Sequence, residues 1–137
     1  MNLDNSGPTV HRPPGLVLVV DDEAPIALAL AEVVEEAGYR VVLAYHGQEA
    51  LEMVHQYQPA LIFTDLMMPQ LNGRELIATL RAQQHIPQQS FPAIILMTAA
   101  GRVNIRDVGA DAVLLKPFEL EEVEALLHRF LADSPDE

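Results

Sequence analysis

The chain has 137 residues, half of them apolar and a fifth charged, with a formal net charge of −12. That length is enough for one domain with a substantial core, and no apolar run approaches the roughly 18 residues of a membrane-spanning helix. The acidic balance excludes direct binding to nucleic-acid phosphates or anionic lipid, where lysines and arginines supply the affinity. Cysteine is absent, which removes disulfides, thiolate nucleophiles and cysteine-type zinc sites.

Residues 1–14 contain Asp4, Arg12 and three prolines and lack the basic and apolar regions of a signal peptide, so they read as a flexible leader on a cytoplasmic protein. The domain is expected over 15–132, with a short polar tail at 133–137. Leu16-Val-Leu-Val-Val20 is a continuous apolar run of the kind buried on both faces of a parallel sheet, and it ends in Asp21-Asp22. Pro25 suits a first helical turn. Ile26, Leu30, Val33, Val34 and Ala37 then follow at helical spacing, and Gly38 marks the stop. Arg40 to Ala44 is a second strand, and Gly47 to Gln56 a second helix with Ala50, Leu51 and Val54 inward.

Ala60 to Asp65 is the third strand, ending abruptly in a carboxylate; Pro69 and Asn72-Gly73 then supply loop chemistry. Met67 and Met68 are expected to pack beneath that loop. Asn72 caps a helix whose stripe is Leu76, Ile77 and Leu80. After a polar loop over 83–90, Ala93 to Thr98 is the fourth strand and Val113 to Leu115 the fifth, ending at Lys116-Pro117. Leu120, Val123, Leu127, Phe130 and Leu131 mark a last amphipathic helix, opened by glutamates that suit its dipole.

Alternating strands and helices predict an α/β fold, a doubly wound five-stranded parallel sheet in three layers. If the strand order is 2-1-3-4-5, as in flavodoxin-like sheets, strands one and three are neighbours and the ligand crevice lies at their carboxyl ends. Asp21, Asp22 and Asp65 then converge on one crevice, bordered by Thr98 and Lys116. Each residue alone has a plainer reading: the aspartates as helix caps, Thr98 as a polar strand end, Lys116 as a solvated cation. Their joint placement at four strand ends argues for a site.

Three carboxylates in one crevice call for a cation, and hard oxygen ligands with room for water and phosphate suit Mg²⁺. A free carboxylate beside Mg²⁺ is a setting for phosphoryl transfer, with Asp65 as nucleophile. Lys116, the one lysine beside seven arginines, is a compact cation for phosphoryl oxygens, and Thr98 offers a hydroxyl. The five histidines show no metal-ligand spacing, and no Gly-rich phosphate loop is present. A phosphatase using an aspartyl phosphate needs an acid two residues after the nucleophile, where Met67 stands.

Asp21-Asp22 after an apolar strand, Asp65 with Met68-Pro69 and Gly73, Thr98-Ala99 and Lys116-Pro117-Phe118 together resemble the receiver domain of bacterial two-component response regulators, over Gly15 to Leu131. By that resemblance it looks like a free-standing, chemotaxis-type receiver without an output domain, which is an expectation. The resemblance implies that Asp65 is the phosphoacceptor and that Asp21, Asp22, Asp65 and the Met67 backbone carbonyl hold Mg²⁺. It implies that Thr98 and Lys116 bind the phosphoryl group, with a cis Lys116–Pro117 bond. The donor would be a sensor histidine kinase or a histidine phosphotransfer protein. The output would be a phosphorylation-dependent interaction with another protein, not turnover of a metabolite.

Two departures stand out. Val113 occupies the place where the family usually has a Tyr or Phe switch, and only Ala99 to Ala112 join strands four and five, near the lower limit for a parallel crossover. A shortened fourth helix is therefore expected, roughly Val103 to Val108. It would expose an apolar patch for a partner protein, with Arg102 and Arg106 facing the acidic last helix of another copy in a homodimer. A pseudo-receiver, acting as a phosphorylation-independent interaction module, is the alternative function.

Overall fold

The structure is a computed structural model and describes residues 15–83, 92–99 and 108–131. Strands β1 (Leu16–Val20), β2 (Arg40–Ala44), β3 (Leu61–Asp65), β4 (Ala93–Thr98) and β5 (Ala112–Leu115) alternate with helices α1 (Ala24–Glu36), α2 (Gly47–Tyr57) and α3 (Gly73–Ala82), and α4 (Leu120–Leu131) follows β5. All pairings are parallel and the order is β2-β1-β3-β4-β5, the expected flavodoxin-like topology. The short helix expected over 103–108 falls outside the described residues except for the buried Val108. Arg102 and Arg106 fall outside them as well.

The apolar runs explain the layering. β3 is buried throughout and β1 and β4 nearly so, whereas the edge strands β2 and β5 are half-exposed. Alternate residues feed two cores. Val17, Val19, Phe63, Ile95, Met97 and Leu114 pack with α1 and α4 on one face. Leu18, Val20, Ile62, Ile94 and Leu96 pack with α2 and α3 on the other. Each such side chain contributes about 1.5–3 kcal/mol of burial.

Some expected details differ. The buried stripe of α1 is Ala27, Leu30, Ala31 and Val34; Ile26 and Val33 are half-buried and Ala37 is exposed. Ala27, Leu30, Ala31 and Val34 stand at i, i+3, i+4 and i+7 on one helical face, and Ala27, Leu30 and Val34 join the core with Val17 and Val19, which leaves Ile26 and Val33 at its margins. Leu120 is exposed at the start of α4, where the chain arrives from the β5 edge. Met68 is buried as expected, but Met67 is 74% exposed, because successive residues of the extended loop point opposite ways.

The end of α3 is tied to the start of β5. Arg81 Nε donates to the Gly109 carbonyl at 2.8 Å and its Nη2 to Asp111 Oδ2 at 3.0 Å. The same Asp111 oxygen accepts the Ile94 N–H at 2.8 Å, closing the β4–β5 ladder at its first rung.

Candidate functional site

The carboxyl ends of β1, β3, β4 and β5 form one edge. Asp21 still belongs to the sheet, since its N–H donates to the Ala44 carbonyl at 3.1 Å. Its carboxylate is fully buried and doubly engaged: Oδ1 accepts the Glu23 N–H at 2.9 Å, and Oδ2 accepts Lys116 Nζ at 2.9 Å. Glu23 is the N-cap of α1 but makes no side-chain cap, so Asp21 is the acid that orders this turn while Asp22 stays exposed.

Asp65 closes β3 and is 6% exposed. Lys116 Nζ reaches its Oδ1 at 3.0 Å, and Oδ2 has no hydrogen bond among the described residues. Ligand oxygens of Asp21, Asp22 and Asp65 lie within 4.8 Å of one another. The Lys116 N–H donates to the Thr98 carbonyl at 2.9 Å, which holds the residue at this edge, and its bond to Pro117 is cis. Thr98 is buried at the end of β4, one residue past Met97, the strand partner of Asp65. The structure thus brings the three aspartates, Lys116 and Thr98 to one sheet edge, and Met67 stands two residues beyond Asp65.

Three carboxylates face one ammonium. Burial raises the Asp65 pKa above the usual carboxylate value; the Asp21 and Asp22 charges add to this, and the Lys116 hydrogen bond and charge only partly offset it. Burial alone lowers the Lys116 pKa, but its hydrogen bonds to Asp21 and Asp65, with their charges, leave it raised overall. Both shifts are upward, which favours the charged lysine and disfavours the charged Asp65, because Lys116 collects two acids whereas Asp65 shares one lysine and carries a desolvation penalty. A divalent cation matches the uncompensated charge, and the all-oxygen donor set fits Mg²⁺.

Sequence reasoning missed three supports of this geometry. Thr64 Oγ1, buried, donates to the Asp65 carbonyl at 3.1 Å. Gly73 lies against the Asp65 backbone, where a Cβ would overlap the Asp65 carbonyl oxygen and meet Leu66 Cα at 2.9 Å. At Gly47 a Cβ would meet the Leu71 carbonyl oxygen at 2.5 Å and Leu71 Cβ at 2.8 Å. The Gly73 contact was foreshadowed by the glycine after Asn72; nothing local marks the other two.

Fold and site define a doubly wound α/β domain with an acidic, cation-type crevice at its topological switch point. The chain belongs to the response regulator receiver domain family, whose profile matches residues 17–128. It is 39% identical over 119 residues to the probable transcriptional regulator ycf27 of Guillardia theta, covering 84% of this chain and 44% of that protein. Chemotaxis protein CheY4 of Vibrio cholerae superposes with a TM-score of 0.77 at 31% identity, covering 86% of this chain and 99% of that one. The receiver domain of sensor histidine kinase PA1611 from Pseudomonas aeruginosa, with a magnesium ion coordinated in its active-site cleft, superposes with a TM-score of 0.73 at 25% identity, over 85% of this chain and 97% of that one. This chain spans about half the length of the curated relatives it matches, as with the 51% covered in response regulator Rre1 of Synechocystis. No helix among the described residues is long and apolar enough to cross a membrane.

Proposed function

We propose that this receiver accepts a phosphoryl group on Asp65 from a phosphohistidine of a sensor kinase or phosphotransfer protein and signals, in the cytoplasm, through a phosphorylation-dependent protein contact. The observation that carries the reading is the pairing of Lys116 Nζ with both Asp21 and Asp65 inside the acidic cluster. Asp65 Oδ2, free of hydrogen bonds among the described residues, is the attacking oxygen. Its lone pair forms the bond to phosphorus as the phosphorus–nitrogen bond of the donor breaks, and that electron pair returns to the imidazole. Lys116 moves from Asp65 to the transferred phosphoryl oxygens, keeping Asp21 as its anchor, and the Thr98 hydroxyl donates to another of those oxygens.

Asp21, Asp22, Asp65 and the Met67 carbonyl would hold Mg²⁺, as the magnesium in the PA1611 receiver supports. When bound, the ion neutralises charge that develops on the phosphoryl oxygens. Asp22, exposed and without a cationic partner among the described residues, is the ligand met first from solvent. Incubation with Mg²⁺ and acetyl phosphate followed by intact-mass measurement tests the reading. One added phosphoryl mass, lost in Asp65→Ala, is expected; no gain, or a gain that survives Asp65→Ala, refutes it.

A further inference from the structure

Lys116 owes its place to β5, the shortest strand of the sheet. β5 has four residues, lies at the sheet edge and pairs only with β4. β4 itself is fixed. It is flanked by a strand on each side, and its Met97 carbonyl accepts, at 2.9 Å, the N–H of Leu66, which opens the acceptor loop, residues 66–72. An alternation of apolar and polar residues is what usually specifies a strand's register. Ala112-Val-Leu-Leu115 has no such alternation, so a slipped β5 would exchange one apolar side chain for another. A slip of one residue would nevertheless turn Lys116 to the other face, and a slip of two would move it by about 6.6 Å. The register therefore depends on contacts other than hydropathy.

The upper end of β5 is held by the site itself. Lys116 N–H donates to the Thr98 carbonyl, and Nζ donates to Asp21 and Asp65. The bond to Asp65 is the one that phosphoryl transfer breaks, so it cannot serve as the fixed reference.

The lower end is held by a pair that the chemistry leaves alone. Asp111 makes two bonds to one residue of β4: its N–H donates to the Ile94 carbonyl at 2.7 Å, and its Oδ2 accepts the Ile94 N–H at 2.8 Å. Ile94 is fully buried, so its N–H needs this acceptor, which a strand carbonyl supplies in a regular ladder. Arg81, in the last turn of α3, holds the same Asp111 oxygen with Nη2 at 3.0 Å and the Gly109 carbonyl with Nε at 2.8 Å. Two donors of one rigid guanidinium thus grip the turn that leads into β5. Gly109 has a φ of 86°, and a Cβ there would meet Ile77 Cγ2 at 3.3 Å and Arg81 Cγ at 3.5 Å, so this turn lies directly against α3.

We propose that the Arg81–Asp111 pair is a positioning device for Lys116, pinning the register of β5 at its foot so that the ammonium at the far end of the strand, roughly 16 Å along, stays over Asp65 and can pass to a phosphoryl oxygen. The phosphoryl half of this inference rests on the function proposed above. Neither residue touches the reacting atoms; both act through the strand.

Lys116 is the single lysine of the chain, so the full-length protein labelled with ¹⁵N at lysine Nζ gives one side-chain ammonium signal. Its rate of hydrogen exchange with water reads how firmly Nζ is held. Arg81→Met keeps an apolar stem against Gly109 and removes the guanidinium. Exchange is expected to accelerate about five-fold, the scale of a partly exposed ion pair whose side chains are 25% and 38% exposed. Gly38→Ala, which strains a turn remote from β5, is expected to leave the rate unchanged. Asp111→Asn keeps an oxygen for Ile94 but gives up the charge, and adding it to Arg81→Met is expected to accelerate exchange no further. A wild-type rate in Arg81→Met overturns the proposal, as does equal acceleration in Gly38→Ala or a multiplied effect in the double variant. The second readout is phosphoryl gain from acetyl phosphate at saturating Mg²⁺. Its rate is expected to fall about five-fold in Arg81→Met, while the Mg²⁺ Kd does not weaken, because the acids stand at the ends of β1 and β3. A Kd that weakens as much as the rate falls overturns the assignment to Lys116. If the wild type gains no phosphoryl group, the function proposed above fails, and ammonium exchange still decides whether the pair positions Lys116.

Discussion

Replacing Gly73 with alanine tests whether the first turn of α3 sets the position of Asp65. The added methyl meets only backbone: it overlaps the Asp65 carbonyl oxygen and lies 2.9 Å from Leu66 Cα and 3.0 Å from the Asp65 carbonyl carbon. None of these atoms is the end of a flexible side chain, so either the helix lifts from β3 or the acceptor loop shifts. Overpacking of this kind costs about 1–3 kcal/mol. The better helix propensity of alanine returns at most about 1 kcal/mol, and less at a first-turn position. A net loss of about 1–2 kcal/mol corresponds to a fall in Tm of roughly 3–8 °C for a domain of this size. Thermal unfolding measures that fall, and magnesium titration well below both transitions measures the displacement of the loop. Gly38→Ala is the control: its Cβ meets nothing within 4 Å, but its φ of 100° makes alanine strained by about 1–2 kcal/mol. Both variants lose comparable stability, and only Gly73→Ala loses Mg²⁺ affinity. Wild-type affinity in Gly73→Ala would refute the argument.

Asp65→Asn is expected to raise the stability of the metal-free protein at neutral pH. The folded-state pKa of Asp65 is raised, chiefly by burial, so its contribution to stability falls as pH rises from the ordinary carboxylate value through the raised one. The advantage of the variant should shrink both on acidification and on adding Mg²⁺ to the wild type, as urea titrations across pH would show; a constant difference contradicts the assignment. Asn72→Ala removes the half of the capping box in which Asn72 Oδ1 accepts the Glu75 N–H at 2.8 Å, leaving the backbone N–H of residue 72 to Glu75 Oε1, and is expected to lower stability by about 1 kcal/mol. An unchanged urea midpoint would mean that the cap is redundant. Met67, exposed beside the site, has no group to orient an attacking water, so the phosphorylated chain should persist for minutes or longer and Met67→Asn should shorten that lifetime. Radiolabel decay over a few seconds in the wild type would refute this.

The strands were legible because continuous apolar runs have one economical fate in a chain with helical stripes between them: a parallel sheet covered on both faces. The places where those runs stop in Asp21, Asp65, Thr98 and Lys116 were legible too, since a charged or polar residue at the end of a buried strand must lie at the sheet edge. What no local pattern carries is which neighbour each group meets. Leu120 and Met67 look like core residues in sequence and are exposed, because the path of the chain around them, not their hydropathy, sets their environment. The buried face of α1 runs through Ala27, Leu30, Ala31 and Val34, and packing, not hydropathy, chose it over the overlapping stripe that includes Ile26 and Val33. The partnership of Lys116 with Asp21 and Asp65 spans 95 and 51 residues. The sequence by itself determined the sheet, its edge and the acids and lysine that lie there. Only the tertiary structure decided that Asp21 anchors the lysine while Asp22 faces solvent, and that Gly47, through Leu71, braces the loop after Asp65, because these follow from packing between elements far apart in the chain.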